Sequence, residues 1–395
     1  MSDLKAFRQE IRAWLEENCP QSMRTAAKLE EQVWGGRNIS FYSEDSRVWF
    51  ERCVEKGYTV PDWPKEYGGA GFDKKQHRIF EQEMERLNCR PPQMNLGIWM
   101  VGPAILEFGT EEQKKEHLPK IARGEIRWCQ GYSEPGAGSD LASLQCKAVL
   151  EGDDFVINGS KIWTSYADES DWIYCLVRTD PTGRKHDGIT FLLFDMQTEG
   201  VDVKPIELIN GETHFCQTFF DNVRVPKANV LGEVDKGWTV AKRVLEFERD
   251  MMSNMESTVA VSGQSPRTIG QKYLGDDNGR VTDDVFRHAI AKHEVNRLAM
   301  ELTPQRMVDE YTQGVGDPTV GMILKYVGTE EEKRKYELMI KMAGEHCLGW
   351  GDDISELEEQ LTSEWLGTKT YSIAGGTSEI QLNIIAKRAL GLPEK

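Results

Sequence analysis

The hydrophobic period of this chain changes twice, and that double switch restricts the fold more than any single motif. Leu4, Phe7, Ile11, Trp14 and Leu15 recur at spacings of three and four, an amphipathic helical stripe. IFEQEMERL (79–87) repeats the habit. GTEEQKKEHLPKI opens a further helix, with Thr110 as cap and Gln113 three residues on. Between these, VPDWPKEYGGAGF (60–72) is dense in Pro and Gly and reads as a loop or a pair of turns. Near Trp128 the period shortens. From Lys147 to Thr179 short β-branched and aromatic runs are broken by Gly-Asp-Asp and Asn-Gly, which read as hairpin turns, and GITFLLFDM and CQTFFDNVRVP continue the strands. After Gly237 the helical period returns in WTVAKRVLEFERDMM, FRHAIAKHEVNRLAMEL, VGMILKYVGTEEEKRKYELMIKMAG and TSEIQLNIIAKRAL. The order predicts an α+β chain: helical over 1–127, a β-domain over 128–236 and a helical bundle over 237–395. A length of 395 residues is more than one core usually serves. The acidic run DDISELEE (352–359) reads as a solvated loop.

Composition narrows the partners. Hydrophobic residues make up 39%, enough for packed cores. No apolar run is long enough to cross a bilayer, so no membrane insertion is expected. The first residues lack the basic and apolar blocks of a secretory signal. A net charge of −17 argues against nucleic acid and anionic membranes, and an anionic ligand would need a local positive patch. The eight cysteines stand singly with no CxxC pair, which argues against zinc, an iron–sulfur cluster or a disulfide scaffold. Reduced thiols in a cytoplasmic protein, with no metal, are the expectation.

Three stretches carry chemistry. In WCQGYSEPGAGSDLA (128–142) a turn rich in glycine exposes backbone N–H groups, with Ser133 and Ser139 as further donors. Alone, it reads more readily as an ordinary Pro-Gly turn. In KIWTS (161–165) Trp163 could lie flat on a planar cofactor while Ser165 donates to a ring atom, or Trp163 could be a core residue of a strand. In YSIAGGTSEIQ (371–381) two adjacent glycines precede Thr377, Ser378 and Glu379, a backbone that something approaches closely.

With FGTEEQKKEHLPKI, FDNVRVPKANVLGE and IIAKRALGLP in order around them, these stretches resemble the acyl-CoA dehydrogenase family over nearly the whole chain. WCQGYSEPGAGSDLA looks like the bacterial subgroup that takes bulky, branched or steroid-side-chain thioesters. The resemblance implies an N-terminal helical domain, a central β-barrel-like domain and a C-terminal four-helix bundle. It implies FAD as cofactor and α,β-dehydrogenation of an acyl-CoA. A carboxylate takes the α-proton while a hydride leaves the β-carbon for flavin N5. Carried over by position, Gln130, Gly131, Tyr132 and Ser133 line the flavin pyrimidine edge. Ser139 touches phosphate or CoA. Trp163, Thr164 and Ser165 meet the flavin, and Thr377 and Glu379 meet its adenosine part. The implied electron acceptor is an electron-transfer flavoprotein, and the implied assembly a homo- or hetero-tetramer.

Two departures stand out. Many members carry a catalytic glutamate directly before Gly-Thr-Ser, where this chain has Gly375. The Gly375–Gly376 backbone can still polarise the thioester carbonyl. Other members take the base from the first bundle helix, and there Glu248 precedes Arg249, an implied substrate contact. Glu246 lies about 200° round the same helix, so only one of the two can face a flavin. Glu248 is favoured, against the alternative that both are surface carboxylates. The second departure is the lack of a convincing pyrophosphate-binding arginine, with Arg267 a weak candidate. Three functions therefore stay open: a complete dehydrogenase, a non-catalytic or half-site subunit of a heteromeric dehydrogenase, and another flavin chemistry such as an oxidase or monooxygenase.

Overall fold

The computed structural model describes residues 2–25, 28–255, 264–317, 319–351 and 354–393, with the side chains of Ser2, Leu29 and residues 249–255 outside the description. The chain divides into two compact units, residues 1–207 with 213–261, and residues 208–212 with 262–395.

The first unit opens with helices α1 (Ser2–Asn18), α2 (Glu44–Lys56), α3 (Lys74–Arg86), α4 (Gly102–Phe108) and α5 (Glu111–Ala122). At α5 the cap read from sequence is present in both directions. Gln113 N donates to Thr110 Oγ1, and Thr110 N donates to Gln113 Oε1. Ile11, Leu15, Trp49 and Phe80 close one core among α1–α3. A π-helical turn, Gly97–Val101, leads into α4.

Seven strands follow: β1 (Trp128–Gly131), β2 (Lys147–Glu151), β3 (Asp154–Ser165), β4 (Trp172–Arg178), β5 (Ile189–Asp195), β6 (Val201–Ile206) and β7 (Phe215–Pro226). They form one sheet in which β2, β3, β7 and β6 run antiparallel in that order. Strand β4 is the pivot. Its one edge pairs antiparallel with β5, while the other takes β1 in parallel, from Trp128↔Trp172 to Gly131↔Cys175, and then β2 at Lys147↔Arg178. Residues 132–146, which include the glycine-rich turn, are thereby looped out between two strands that share one edge.

The Gly-Asp-Asp break is the β2–β3 hairpin, as expected. Asn158-Gly159 is not a turn. Strand β3 runs through it with a register shift between Ile157 and Gly159. Glycine is needed there because a Cβ would lie 2.9 Å from the Cys146 Cα.

Helix α6 (Gly237–Met255) completes this unit and packs on β5, α4 and the π-helical turn. Its Val240, Ala241 and Val244 share a core with Ile105, Leu118, Trp128, Tyr132, Tyr174 and Leu193.

The second unit holds α7 (Pro266–Leu274), a small hairpin β8 (Asp276–Asp277) and β9 (Arg280–Val281), then α8 (Asp284–Thr312), α9 (Met322–Ala343), α10 (Glu356–Gly367) and α11 (Ser378–Ile384). Ile269, Ile290, Tyr336, Met339, Met342 and Leu361 form its core. The acidic run is a helix start, not a loop. Asp352 and Asp353 lie outside the described residues, while Ser355 caps α10 in a reciprocal box with Glu358. Glu356, Glu358 and Glu359 then sit in the first turn, where the helix dipole favours negative charge.

Candidate functional site

The looped-out segment starts from β1. Successive strand residues face opposite sides, so Trp128, Gln130 and Tyr132 share one face. That face belongs to the core that includes α6. Beyond Tyr132 the chain reverses in two residues. Glu134 and Ala137 exchange both backbone hydrogen bonds at 3.0 Å across Pro135-Gly136. Ser133 is half-buried and its carbonyl accepts from Ile162 N at 2.9 Å, which lays the turn against β3. Ser139 is exposed at the far end of the turn.

Strand β3 then departs from period two. Counting from the fully buried Lys161, an undisturbed strand would put Trp163 inside. A register shift between Lys161 and Thr164 inserts one extra residue, and Trp163 takes φ +62°. The indole is turned out and is 53% exposed, while Thr164 is buried. Phe215 meets the indole edge-on at 5.9 Å. A bulky residue held in the left-handed region costs on the order of 1–2 kcal/mol. Such strain gathers at functional sites. Trp163 is thus not a core residue, and the half-buried Ser165 lies two residues along the same strand.

Helix α6 brings a carboxylate to β1. Glu248 is half-buried, and Gln130 Nε2 donates to its Oε2 at 3.5 Å. Catalytic hydrogen bonds are often this long before substrate binds. Glu246 faces away. It is exposed and pairs with Arg243 at 2.7 Å, and Arg243 also binds Glu107. The Arg249 side chain lies outside the described residues. Beside Glu248 two buried polar atoms have no hydrogen-bond partner among the described residues, Gln130 Oε1 and Tyr132 Oη, and on β3 Thr164 Oγ1 is a third such orphan. Burial, with the Glu248 charge as a second cause, holds the Tyr132 hydroxyl well above its ordinary pKa, so it stays protonated as a donor. Buried polar groups rarely go unpaired, and orphans of both donor and acceptor type suit a ligand with a polar edge. A displayed indole, nearby hydroxyls and these orphans fit a planar, hydrogen-bonding ring system.

The second unit holds the Gly-Gly turn. Gly375 and Gly376 take φ +63° and +90°. Among the described residues a Cβ on Gly375 would meet only Lys325 Cε, at 3.8 Å. Lys325 Nζ donates to Gly376 O at 2.7 Å and to Tyr371 O at 3.0 Å, and Gln381 Nε2 donates to Gly375 O at 3.3 Å. Both turn carbonyls are therefore held by side chains of this unit. Thr377 is spent locally, its hydroxyl capping α11 by accepting from Ile380 N. Glu379 is exposed in the first turn of that short helix, and Arg267 is exposed in the first turn of α7. Sequence reasoning missed Lys325 and the Gln130–Glu248 contact. No local pattern marks either, since each joins segments 51 and 118 residues apart.

Comparison with known proteins agrees with this arrangement. Three domain profiles of the acyl-CoA dehydrogenase family match: the N-terminal domain over residues 1–125, the middle domain over 129–223 and the C-terminal domain over 235–390. The chain is 32% identical to acyl-CoA dehydrogenase IpdE1 of Mycobacterium tuberculosis, over 100% of this chain and 99% of that protein. It is 33% identical to a 3-(aryl)acrylate reductase of Clostridium sporogenes, over 86% and 89% of the two chains. Among solved structures it superposes on the Tcur3481-Tcur3483 steroid ACAD with a TM-score of 0.72 at 29% identity, covering 100% and 99% of the two chains. It superposes on the ChsE4-ChsE5 complex of Mycobacterium tuberculosis with a TM-score of 0.70 at 28% identity, with the same coverage. By these three domain matches and its full-length relatives, the chain belongs to the acyl-CoA dehydrogenase family and is an acyl-CoA dehydrogenase.

Proposed function

We propose that this dehydrogenase uses FAD, and that Glu248 removes the α-proton of the acyl-CoA. The observation that carries the reading is the Gln130–Glu248 contact. It turns one carboxylate of α6 toward the face that holds the orphaned Gln130 and Tyr132 atoms, while Glu246 is tied up with Arg243 at the surface. FAD, when bound, accepts the hydride that leaves the β-carbon. The chain's own part is to seat the ring on Trp163 and Ser165, to line its polar edge with Gln130 to Ser133, and to hold the proton on Glu248. The Gly375–Gly376 turn receives the thioester carbonyl. With no side chain at Gly375, that turn leaves room for a branched, cyclic or otherwise bulky acyl group. Relatives named as steroid and as short/branched-chain dehydrogenases support the same class. Electrons pass on to an electron-transfer flavoprotein. A cytoplasmic setting suits eight free, buried cysteines.

A second reading is favoured by solved relatives that are named as two-chain complexes, and by the lack of an evident pyrophosphate-binding arginine. In it the chain supplies one half of a heteromeric enzyme and is complete only beside a different chain. Anaerobic mixing with a panel of acyl-CoA esters separates the two. Bleaching of the flavin absorbance with a branched or ring-bearing ester, in the protein purified alone, supports the complete enzyme. A colourless protein that bleaches only once a co-purifying chain is restored supports the half-site. Faster bleaching with straight short-chain esters than with any bulky one would overturn the substrate class.

A further inference from the structure

Glu134 and Lys161 form an ion pair inside the first unit, with the Lys161 side chain wholly buried and Glu134 nearly so. Lys161 Nζ lies 2.7 Å from Glu134 Oε1 and donates to the Tyr132 carbonyl at 3.1 Å. The same carboxylate accepts from Gln145 N at 2.7 Å and Cys146 N at 2.9 Å. One carboxylate thus gathers both ends of the looped-out segment, and one ammonium ties it to β3. A buried ion pair is often no more stabilising than an apolar pair of the same volume, so stability alone does not account for it. Packing holds only part of the segment: Ala137 and Leu144 are buried in the core, while Pro135, Gly136, Gly138 and Ser139 are exposed. A cavity of about 310 Å³ opens beside it, lined by Glu134, Gly136, Ser143, Gln145, Gly159 and Ser160. Lys161 is also the last residue of β3 in register with β7 before the bulge that turns Trp163 outward.

We propose that Glu134 and Lys161 are positioning residues that set the separation between the Gln130–Ser133 edge and the Trp163–Ser165 edge of the flavin site. The proposal rests on the FAD reading above. An apolar pair could fill the space but could not bind one carbonyl and two amides. Without those bonds the turn slides along β3, and Gln130 and Trp163 lose their spacing.

The test is the full-length Glu134→Gln/Lys161→Met variant, which removes both charges together and leaves neither one buried alone. Thermal unfolding, amide hydrogen exchange and FAD titration by fluorescence quenching are measured beside wild type. The expected result is a melting temperature close to wild type, exchange at Gln145, Cys146 and Ile162 at least tenfold faster, and FAD bound at least tenfold more weakly. Wild-type exchange together with wild-type FAD affinity in the variant overturns the proposal. Should the variant not fold, wild-type exchange decides. Gln145 and Cys146 amides as protected as the β3–β7 ladder support the clamp, and exchange as fast as at Gly136 and Gly138 overturns it. A wild-type protein that binds no FAD, alone or with its co-purifying chain, defeats the cofactor reading instead, and the exchange rates still judge the clamp.

Discussion

Lowering the pH should weaken this protein through one histidine beneath the site. His117 lies on α5 in edge-to-face contact with Trp128 and Trp172, ring centroids 5.4 and 4.8 Å apart, and those residues begin β1 and β4. It is buried, and its Nδ1 has no partner among the described residues. Burial pushes its pKa down from 6.5 to about 4, with Glu116 opposing and Lys120 assisting. Between those values the folded protein keeps the ring neutral while the unfolded chain protonates it. The unfolded state binds more protons, so stability rises with pH across that window. The contribution is complete above pH 6.5 and is lost as pH falls toward 4. At about 1.4 kcal/mol per pH unit the gap amounts to roughly 3 kcal/mol. The assay is urea unfolding at several pH values between 7 and 4, for wild type and for His117→Leu. The leucine variant should lose about 3 kcal/mol less over that range. Equal losses in the two proteins would refute the reasoning, since other titrating groups are common to both.

Three further variants probe single residues. Glu246→Gln should leave the rate of flavin reduction by acyl-CoA unchanged in stopped-flow absorbance, because Glu246 faces solvent beside Arg243. Trp163→Gly should melt within about 1 kcal/mol of wild type, since glycine tolerates φ +62°. The same variant should hold FAD at least tenfold more weakly by quenching titration, a loss that its retained stability does not explain. Ser355→Ala should cost the second unit about 1 kcal/mol in chemical unfolding through loss of the α10 cap.

Local chemistry was legible in the sequence where one segment contained all of it. The Thr110–Gln113 box is one example, and the opposite facing of Glu246 and Glu248 follows from helical pitch alone. The acidic run was misread although Ser355 and Glu358 carry a capping box, because the like charges on both sides masked the cap within it. Asn158-Gly159 was misread because the glycine answers a tertiary demand, the approach of Cys146, rather than a turn. The bulge at Trp163 has no sequence mark. Period-two counting puts the indole inside, and only the pairing with β7 reveals the extra residue. The Glu134–Lys161 pair and the Gln130–Glu248 contact each join two motifs that the sequence singles out separately, and only the fold puts them side by side.

The central claim is that Glu248 takes the α-proton. It is tested most directly with a 3-thiaacyl-CoA, whose β position carries sulfur and no hydrogen, so that proton removal is seen without hydride transfer. The flavin-loaded protein, with any chain that co-purifies, is incubated with this thioester in D₂O, and α-hydrogen exchange is followed by mass spectrometry. The account predicts exchange in wild type and in Glu246→Gln, and its loss by at least a hundredfold in Glu248→Gln with binding retained, in line with the usual worth of a general base. Exchange at the wild-type rate in Glu248→Gln would contradict it.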